Sequence, residues 1–453
     1  MPDIDAMSSL NAANRDYVLK TVKERHIHFI RMWFTDVLGQ MKSFAITPSE
    51  LEASFEEGMG FDGSSIEGFA RSSESDMIAF PDASTFQVLP WRPTDDGVAR
   101  MFCNICTPDG EQFEGDPRYV LRRMLRKAAD LGYQFNVGPE VEYFYFKDAE
   151  RPVPLDYAGY FDLTADDTAS DLRRDTILTL EQMGIPVEYS HHEAAPSQQE
   201  IDLRYDDALS MADAVMTYRL VVKEVALKHG VHASFMPKPI AGINGSGMHV
   251  HQSLFSDDEN IFYDANDPQG FGLSEIAKHY MAGLLKYAPE FTLITNQYVN
   301  SYKRLVPGFE APITISWAGS NRNALIRVPR YKPGKPEAAR FEFRSPDSAC
   351  NPYLVFAVLL GAGLKGIEEG LELEEPIDND VSEMNRAELV EQGVRLLPGS
   401  LGEATTLFAQ SELMKEILGE DMHRFIVENK LEEWGTYCSQ VTQWEIDRDF
   451  PIL

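Results

Sequence analysis

Glu140 and Glu142 in GPEVEYF, Glu193 and Glu200 in HHEAAPSQQEID, His249 in NGSGMHVHQSL and Glu342 in RFEFRSPD place five carboxylates and one imidazole in short strand-like or loop-like segments. Hard oxygen donors joined by one imidazole suit Mg2+ or Mn2+, and ions of that kind commonly hold phosphates. Three of these segments also carry arginine or glycine-rich backbone, which an anionic substrate beside such metals requires. The set reads as a site for ATP-driven chemistry on a carboxylate.

Spacing sharpens each signal. Glu140 and Glu142 stand two apart, so on a strand both face one way. With apolar Val141, Tyr143 and Phe144 beside them, two like charges at a protected position need a cation. The alternative is an exposed strand face with two solvated glutamates. AAPSQQ is a loop able to bring Glu193 and Glu200 to one ion, although His-His-Glu runs also occur on surface loops. Asn244, Gly245 and Gly247 allow the backbone close to a ligand, while His249 and His251 alternate on the strand that follows. A packed core histidine beside a turn is the competing reading. Arg340, Glu342 and Arg344 alternate likewise, which suits a phosphate bridging metal and protein, or else a structural salt-bridge ladder. Arg304, Arg322 and Arg327 follow in NSYKRLVPGFEAP and SNRNALIRVP, with Glu310 in a Pro/Gly loop suited to movement.

The elements that must position these residues are partly legible. NRDYVLKTVKERH, from Asn14, has helical spacing; HIHFIRMWFTDVLG and MKSFAI form a hairpin across Asp36–Gly39. In TPSELEASFEEG, Thr47, Pro48 and Glu50 spell a capping box. FDGSSIEGFARSSESD is a glycine- and serine-rich loop, and strand-like runs lie near Thr85–Trp91 and Val98–Cys106. DPRYVLRRMLRKAADLGY is a helix ending at Gly132, and NVGPEVEYFYF is the strand after it. A domain boundary belongs near Glu111–Gly115. SDDENIFYDANDPQG is an acidic hairpin tip or insertion, and the stretch from Ser400 is mostly helical.

Composition excludes several classes. Lys plus Arg number 41 against 72 Asp plus Glu, a net charge of −31 that disfavours nucleic-acid binding. Metals and local arginines must overcome that field for any anionic substrate. With 43% hydrophobic and 11% aromatic residues, a large core is expected. Four cysteines make no disulfide framework, and the lone Cys103-x-x-Cys106 has no second pair at zinc spacing, so apolar strand residues are expected. The acidic amino terminus is unlike a targeting peptide, and no apolar run is long enough to span a membrane. A reduced cytoplasmic compartment is the default.

Together FDGSSIEGF, PEVEYF, HHEAAPSQQEID, NGSGMHVHQSL, NSYKRLVPGFEAP, NRNALIRVP and RFEFRSPDSACNPYL, in this order, resemble type I glutamine synthetases, the bacterial and archaeal class, from about residue 15 to the carboxyl terminus. The resemblance implies an α+β protein: a flexible stretch 1–14, a β-grasp-like domain over 15–112, and a catalytic domain over 113–453. The catalytic domain would have a curved antiparallel sheet, like that of guanidino kinases, and a C-terminal helical segment. It implies two stacked hexameric rings, a dodecamer, with active sites between neighbouring subunits. It implies two or three Mg2+ or Mn2+ per site: one held by Glu142, Glu193 and Glu200, another by Glu140, His249 and Glu342. Glutamate would meet Asn244, Gly245, Arg304, Arg322 and Arg344; ATP would meet Glu188, His251, Ser253, Arg327 and Arg340. Asp62 of the adjacent subunit matches the residue that binds ammonium and takes its proton. Ser65, Tyr160 and Glu310 complete that pocket, with Glu310 on a closing flap and Glu193 adding charge that favours ammonium over a neutral amine.

One departure bears on control. EEPIDNDVSEMNRAEL, from Glu374, lacks the tyrosine that some members adenylylate. The chain therefore resembles the subclass held by feedback inhibition, in which Arg71 matches a glutamine-sensing arginine. A nitrogen-regulatory protein is a further possible partner. The rivals are a γ-glutamyl-polyamine or amine ligase keeping the same metal and ATP residues, a non-catalytic scaffold, and a guanidino-kinase relative. Asp62, Ser65, Tyr160 and Glu310 favour the ammonium form over the amine ligase and the guanidino-kinase relative, and the complete metal and arginine sets argue against the scaffold.

Overall fold

A computed structural model describes residues 4–453 apart from 65, 67, 69–75, 93–95, 164–167, 322, 332–333, 378–383, 385 and 392, with side chains from Asn11 onward. Ser65, Arg71 and Arg322, and part of the stretch after Glu374, lie outside the described residues.

Helix α1 (Ile4–Glu24) begins well ahead of Asn14, where the helical spacing starts. Strands β1 (Ile27–Thr35) and β2 (Met41–Ile46) pair antiparallel across the turn in which Gly39 takes φ 80°. Helix α2 (Leu51–Glu56) follows a 3-10 turn over Pro48–Glu50. The expected capping box does not form: Thr47 makes no side-chain cap, because its hydroxyl lies 2.8 Å from the Ser49 hydroxyl instead. Strands β3 (Met59–Asp62), β4 (Asp76–Pro81), β5 (Gln87–Val88) and β6 (Gly97–Cys106) complete a six-stranded sheet of order β2-β1-β6-β4-β3, with β5 on β6. Only β1 and β6 in it run parallel. Ile30, Met32 and Phe34 of β1 pack with Val18 of α1 and Phe55 of α2. Trp33 and Phe102, on the other face of the same sheet, join the core of the larger domain and meet edge to face at 5.7 Å.

That shared face is locked by buried charge. Asp116 caps helix α3 (Pro117–Asp130) by accepting from Arg118 N, and it also accepts from Ile105 N of β6. The Arg118 guanidinium donates to both Asp213 oxygens at 3.1 and 3.0 Å, to Asp82 at 2.9 Å and to Asn104 at 2.6 Å. A bidentate fork of this kind fixes orientation as well as distance.

Next come β7 (Gln134–Phe146), α4 (Ala169–Gln182), β8 (Val187–His192), β9 (Gln198–Leu203), β10 (Asp206–Asp207), α5 (Ala208–Lys228) and β11 (His232–Ser234). Then follow β12 (Met248–Ser256), β13 (Glu259–Asn260), α6 (Glu275–Thr295), the short α7 (Ser301–Arg304), β14 (Thr314–Ala318), β15 (Ala324–Arg327) and β16 (Phe341–Phe343). Helix α8 (Pro352–Glu369) leads to α9 (Arg386–Glu391), α10 (Leu401–Ala409), α11 (Glu412–Leu418), α12 (Glu420–Cys438) and α13 (Gln443–Asp449). The strands form one ten-stranded sheet of order β14-β15-β16-β12-β7-β9-β8, with β10 and β11 on β7 and β13 on β12. Every pairing is antiparallel except β14 with β15. The β12–β13 hairpin turns at Asp257 and Asp258, both at positive φ, so the acidic segment is a hairpin tip.

Behind the sheet, α6 and α8 approach where a side chain would not fit: a Cβ on Gly366 would fall 2.2 Å from His279 O. Cys103, Cys106 and Cys350 are buried and Cys438 exposed, all as free thiols. Among the described residues, no helix is long and apolar enough to cross a membrane.

Candidate active site

Antiparallel register turns the scattered motifs into rows across one face of the large sheet. Glu140 on β7 stands opposite His249 on β12 and Asp202 on β9, and Asp202 stands opposite Tyr189 on β8. One step along, Glu142 faces Glu200, which faces His191. On the other side His251 faces Glu342, which faces Arg327. Because side chains alternate along a strand, each i, i+2 pair falls on that same face.

Among the described residues, two groups bring ligand-type atoms within 4.8 Å of one another: Glu140, His249 and Glu342, and His191, Glu193 and Glu200. The first unites the three residues expected to share an ion. His249 Nδ1 lies 3.2 Å from Glu140 and 3.3 Å from Glu342. The second holds Glu193 and Glu200 as expected but supplies His191, 2.9 Å from Glu193, where Glu142 was expected. Glu142 borders the same cavity and accepts from Gln198 Nε2 at 2.9 Å and Gly247 N at 2.8 Å.

The two groups differ in charge balance. Burial works against the Glu140 carboxylate, yet His251 and His249 hold it well below the usual range. Arg344, hydrogen-bonded to Glu342, likewise outweighs burial and keeps that carboxyl low. Around Glu200 the opposite holds. Burial and Glu193 push Glu142 up to about 8, while burial and Glu140 push Asp202 up to about 7. Burial and Asp202, with Glu142, raise Glu200 well above its ordinary value. Neither Asp202 oxygen accepts a well-formed hydrogen bond. Packed carboxylates of this kind are relieved by a cation between them.

Two cavities meet at this face. The first, about 200 Å3, is walled by Glu140 and His249 of the first group, by His191, Glu193 and Glu200 of the second, and by Tyr160, Asn244, Gly245, Glu310, Arg304, Arg327 and Arg344. Glycine is required at its edge, since a Cβ on Gly245 would sit 2.2 Å from Pro237 O. Arg304 is buried and oriented by the Ser345 carbonyl at 2.8 Å. Glu310 is exposed at φ 52°, its carboxylate 3.4 Å from Asn244 Nδ2. The second cavity, about 480 Å3, gathers Glu188, His251, Ser253 and Arg340. Arg340 Nε donates to His251 Nδ1 at 3.3 Å, leaving His251 Nε2 to donate to Glu140 at 2.6 Å. Glu140 and Tyr189 line both cavities. Asp62 is not among the residues of either; it ends β3, exposed, accepting from Ser64 N at 2.8 Å.

Sequence reasoning passed over His191, Asp202, Tyr189 and Gln198. The signal was present: Gln198-Glu200-Asp202 and Tyr189-His191 continue the same two-residue alternation that singled out Glu140 and Glu142.

Comparisons with known proteins agree with this geometry. Residues 26–108 match the family model "Glutamine synthetase, beta-Grasp domain", and residues 114–449 match "Glutamine synthetase, catalytic domain". The chain is 56% identical over 438 residues to a glutamine synthetase of Mycolicibacterium smegmatis, covering 95% of this chain and 98% of that protein. It is 48% identical over 443 residues to one of Methanosarcina mazei, covering 97% and 98%. A solved GmaS/ADP complex superposes with a TM-score of 0.84 at 28% identity, covering 96% of this chain and 99% of that one. With both of its domains matched and relatives of this identity along nearly its whole length, the chain belongs to the glutamine synthetase family.

Proposed function

We infer that this chain makes glutamine, ligating ammonia to the side-chain carboxylate of L-glutamate with consumption of ATP and formation of γ-glutamyl phosphate. The observation that carries the reading is the single sheet face on which two oxygen-and-imidazole groups border an arginine-walled cavity, with a larger one fit for a nucleotide meeting it at Glu140. The donor set fits divalent cations, since its hard ligand atoms converge within 4.8 Å and its carboxylates repel one another. Glu140, His249 and Glu342 would hold one ion; Glu193 and Glu200, with Glu142 and His191 beside them, would hold another. Bound there, such ions neutralise phosphate charge and polarise the oxygens between which the phosphoryl group passes.

The remaining roles fall to side chains. Glu188, His251 and Ser253 seat the nucleotide, and Arg327 and Arg340 take its phosphates. Asn244, Gly245, Arg304, Arg322 and Arg344 orient glutamate, so that its side-chain oxygen attacks the γ-phosphorus and ADP leaves. Asp62 and Ser65 of an adjacent subunit, with Tyr160, Glu193 and Glu310, hold ammonium, and the Asp62 carboxylate accepts its proton. The freed ammonia attacks the acyl carbon, and phosphate departs from the tetrahedral adduct. The Glu310 loop closes over the activated acid and keeps water from it. We assign the assembly to two stacked hexamers in the cytoplasm, with glutamine feedback through Arg71; unchanged glutamine inhibition in Arg71→Ala would remove that last assignment.

The test is phosphate release from ATP with Mg2+ and glutamate, comparing ammonium with putrescine, spermidine and ethanolamine. Release driven by ammonium with glutamine as product is expected. Release only with a larger amine would move the chain to the amine ligases that share the acyl-phosphate step.

A further inference from the structure

A third cavity, about 730 Å3 and larger than either site cavity, is walled by the β1–β2 turn at Gln40, helix α5, strand β11 and the turn over Tyr298–Asn300. None of the residues given a catalytic or binding role above belongs to its wall. Arg219 and Lys223, one helical turn apart on α5, both line it. Arg219 is only 8% exposed, yet its Nε and Nη2 have no hydrogen-bond partner. Its Nη1 meets the Met216 sulfur at 4.0 Å, and among the described residues no carboxylate pairs with it. Lys223 stands exposed at the rim. The acid of the wall, Glu433, is already engaged, accepting from Lys430 Nζ at 2.8 Å and Val299 N at 3.0 Å.

A buried guanidinium without an anion is costly, because its desolvation is not offset by a partner. The contrast with Arg118 is direct, since that arginine binds two aspartates and an asparagine side chain. Beside Arg219 the wall offers apolar side chains, among them Met216, Leu220 and Phe235. We propose that this cavity binds an amphipathic carboxylate, its charge taken by Arg219 and Lys223 and its apolar body by Met216, Leu220 and Phe235. A carboxylate suits the place better than a phosphate: one planar fork with one rim ammonium matches a single negative charge, and the wall favours a hydrocarbon neighbour.

Two sources offer this chemistry: a free organic acid, or the terminal carboxylate of a chain, such as the exposed Phe450–Leu453 end. Calorimetric titration separates them. The probe is 3-phenylpropionate, with 3-phenylpropionamide as its neutral isostere, added to the full chain and to a chain ending at Asp449. Binding of the acid at least ~10-fold tighter than the amide is expected. If both chains bind the acid, a free acid is the natural occupant; if only the shortened chain does, a chain terminus is. Arg219→Gln should weaken acid binding about tenfold and leave the amide unchanged, and Lys223→Gln at the rim gives the same readout should the first variant fold poorly. Equal binding of acid and amide, binding to neither chain, or acid affinity unchanged in the variants would overturn the proposal.

Discussion

The Arg118 knot and the Glu200 face both bury charged side chains, and they solve opposite problems. At the knot every charge is answered from within the chain. Although burial disfavours the Arg118 cation, Asp213 and Asp82 hold it firmly protonated, and Arg118 in turn outweighs burial at Asp82. On the sheet face, Glu142, Glu200 and Asp202 are all driven upward by burial and then by a neighbouring carboxylate: Glu193 at Glu142, Asp202 at Glu200 and Glu140 at Asp202. Burial of charge therefore does not distinguish cement from site; the sign of the imbalance does. A cluster that balances itself joins two domains, and a cluster that does not is shaped for something that arrives.

Breaking the sheet face should be the most costly to function and the least to stability. Glu140→Gln is expected to lower kcat/KM by ~10^3- to 10^4-fold, about 5 kcal/mol of transition-state stabilisation, with a melting temperature close to that of the parent. Steady-state kinetics with ammonium decide it. The knot should behave in reverse: Arg118→Met strands Asp213 and Asp82 and should cost about 4 kcal/mol in urea unfolding, with activity per folded molecule retained.

Asp116 sharpens the comparison through pH. Burial raises its carboxyl from 3.8 to about 6, so the folded state binds this proton more tightly than the unfolded one. Its contribution is most favourable below the unfolded value and is lost as pH rises through about 6, a change of about 3 kcal/mol at most. Asp116→Asn should flatten that slope between about pH 4 and 6. The smallest effect expected is from the cation itself. Mg2+ at about 100 times its dissociation constant should stabilise the protein by about 2.7 kcal/mol. At one fixed Mg2+ concentration the stabilisation should be larger at pH 8 than at pH 6, because carboxyls held near 7 and 8 must first lose protons. Equal stabilisation at both pH values would place the ion elsewhere.

How far the site was legible depended on whether a residue's role is local. The two-residue alternation of Glu140 with Glu142, of His249 with His251 and of Arg340 with Glu342 is written into adjacent positions, and all of these reach one face. Which residues share an ion is not local. His191 joins Glu142 beside Glu200 because β8 and β9 pair in a register that aligns His191 with Glu200, as β7 and β9 align Glu142 with it. Pairing across strands distant in sequence cannot be deduced from either strand alone. The same limit hid β4, whose partners β3 and β6 lie on either side of it in the sheet. At Thr47 a local signal was present and lost to a nearer competitor, the Ser49 hydroxyl.

The rows across the large sheet have a reading frame. Losing one residue from β7 between Gln134 and Gly138 would carry Glu140 and Glu142 together to the opposite face, and no substitution elsewhere would bring them back. Descendants of this chain are thus free to exchange side chains along these strands but not to change their length. Insertions and deletions should collect instead in the connector from Lys147 to Leu155 and beyond the Asp257–Asp258 turn, where no row is interrupted.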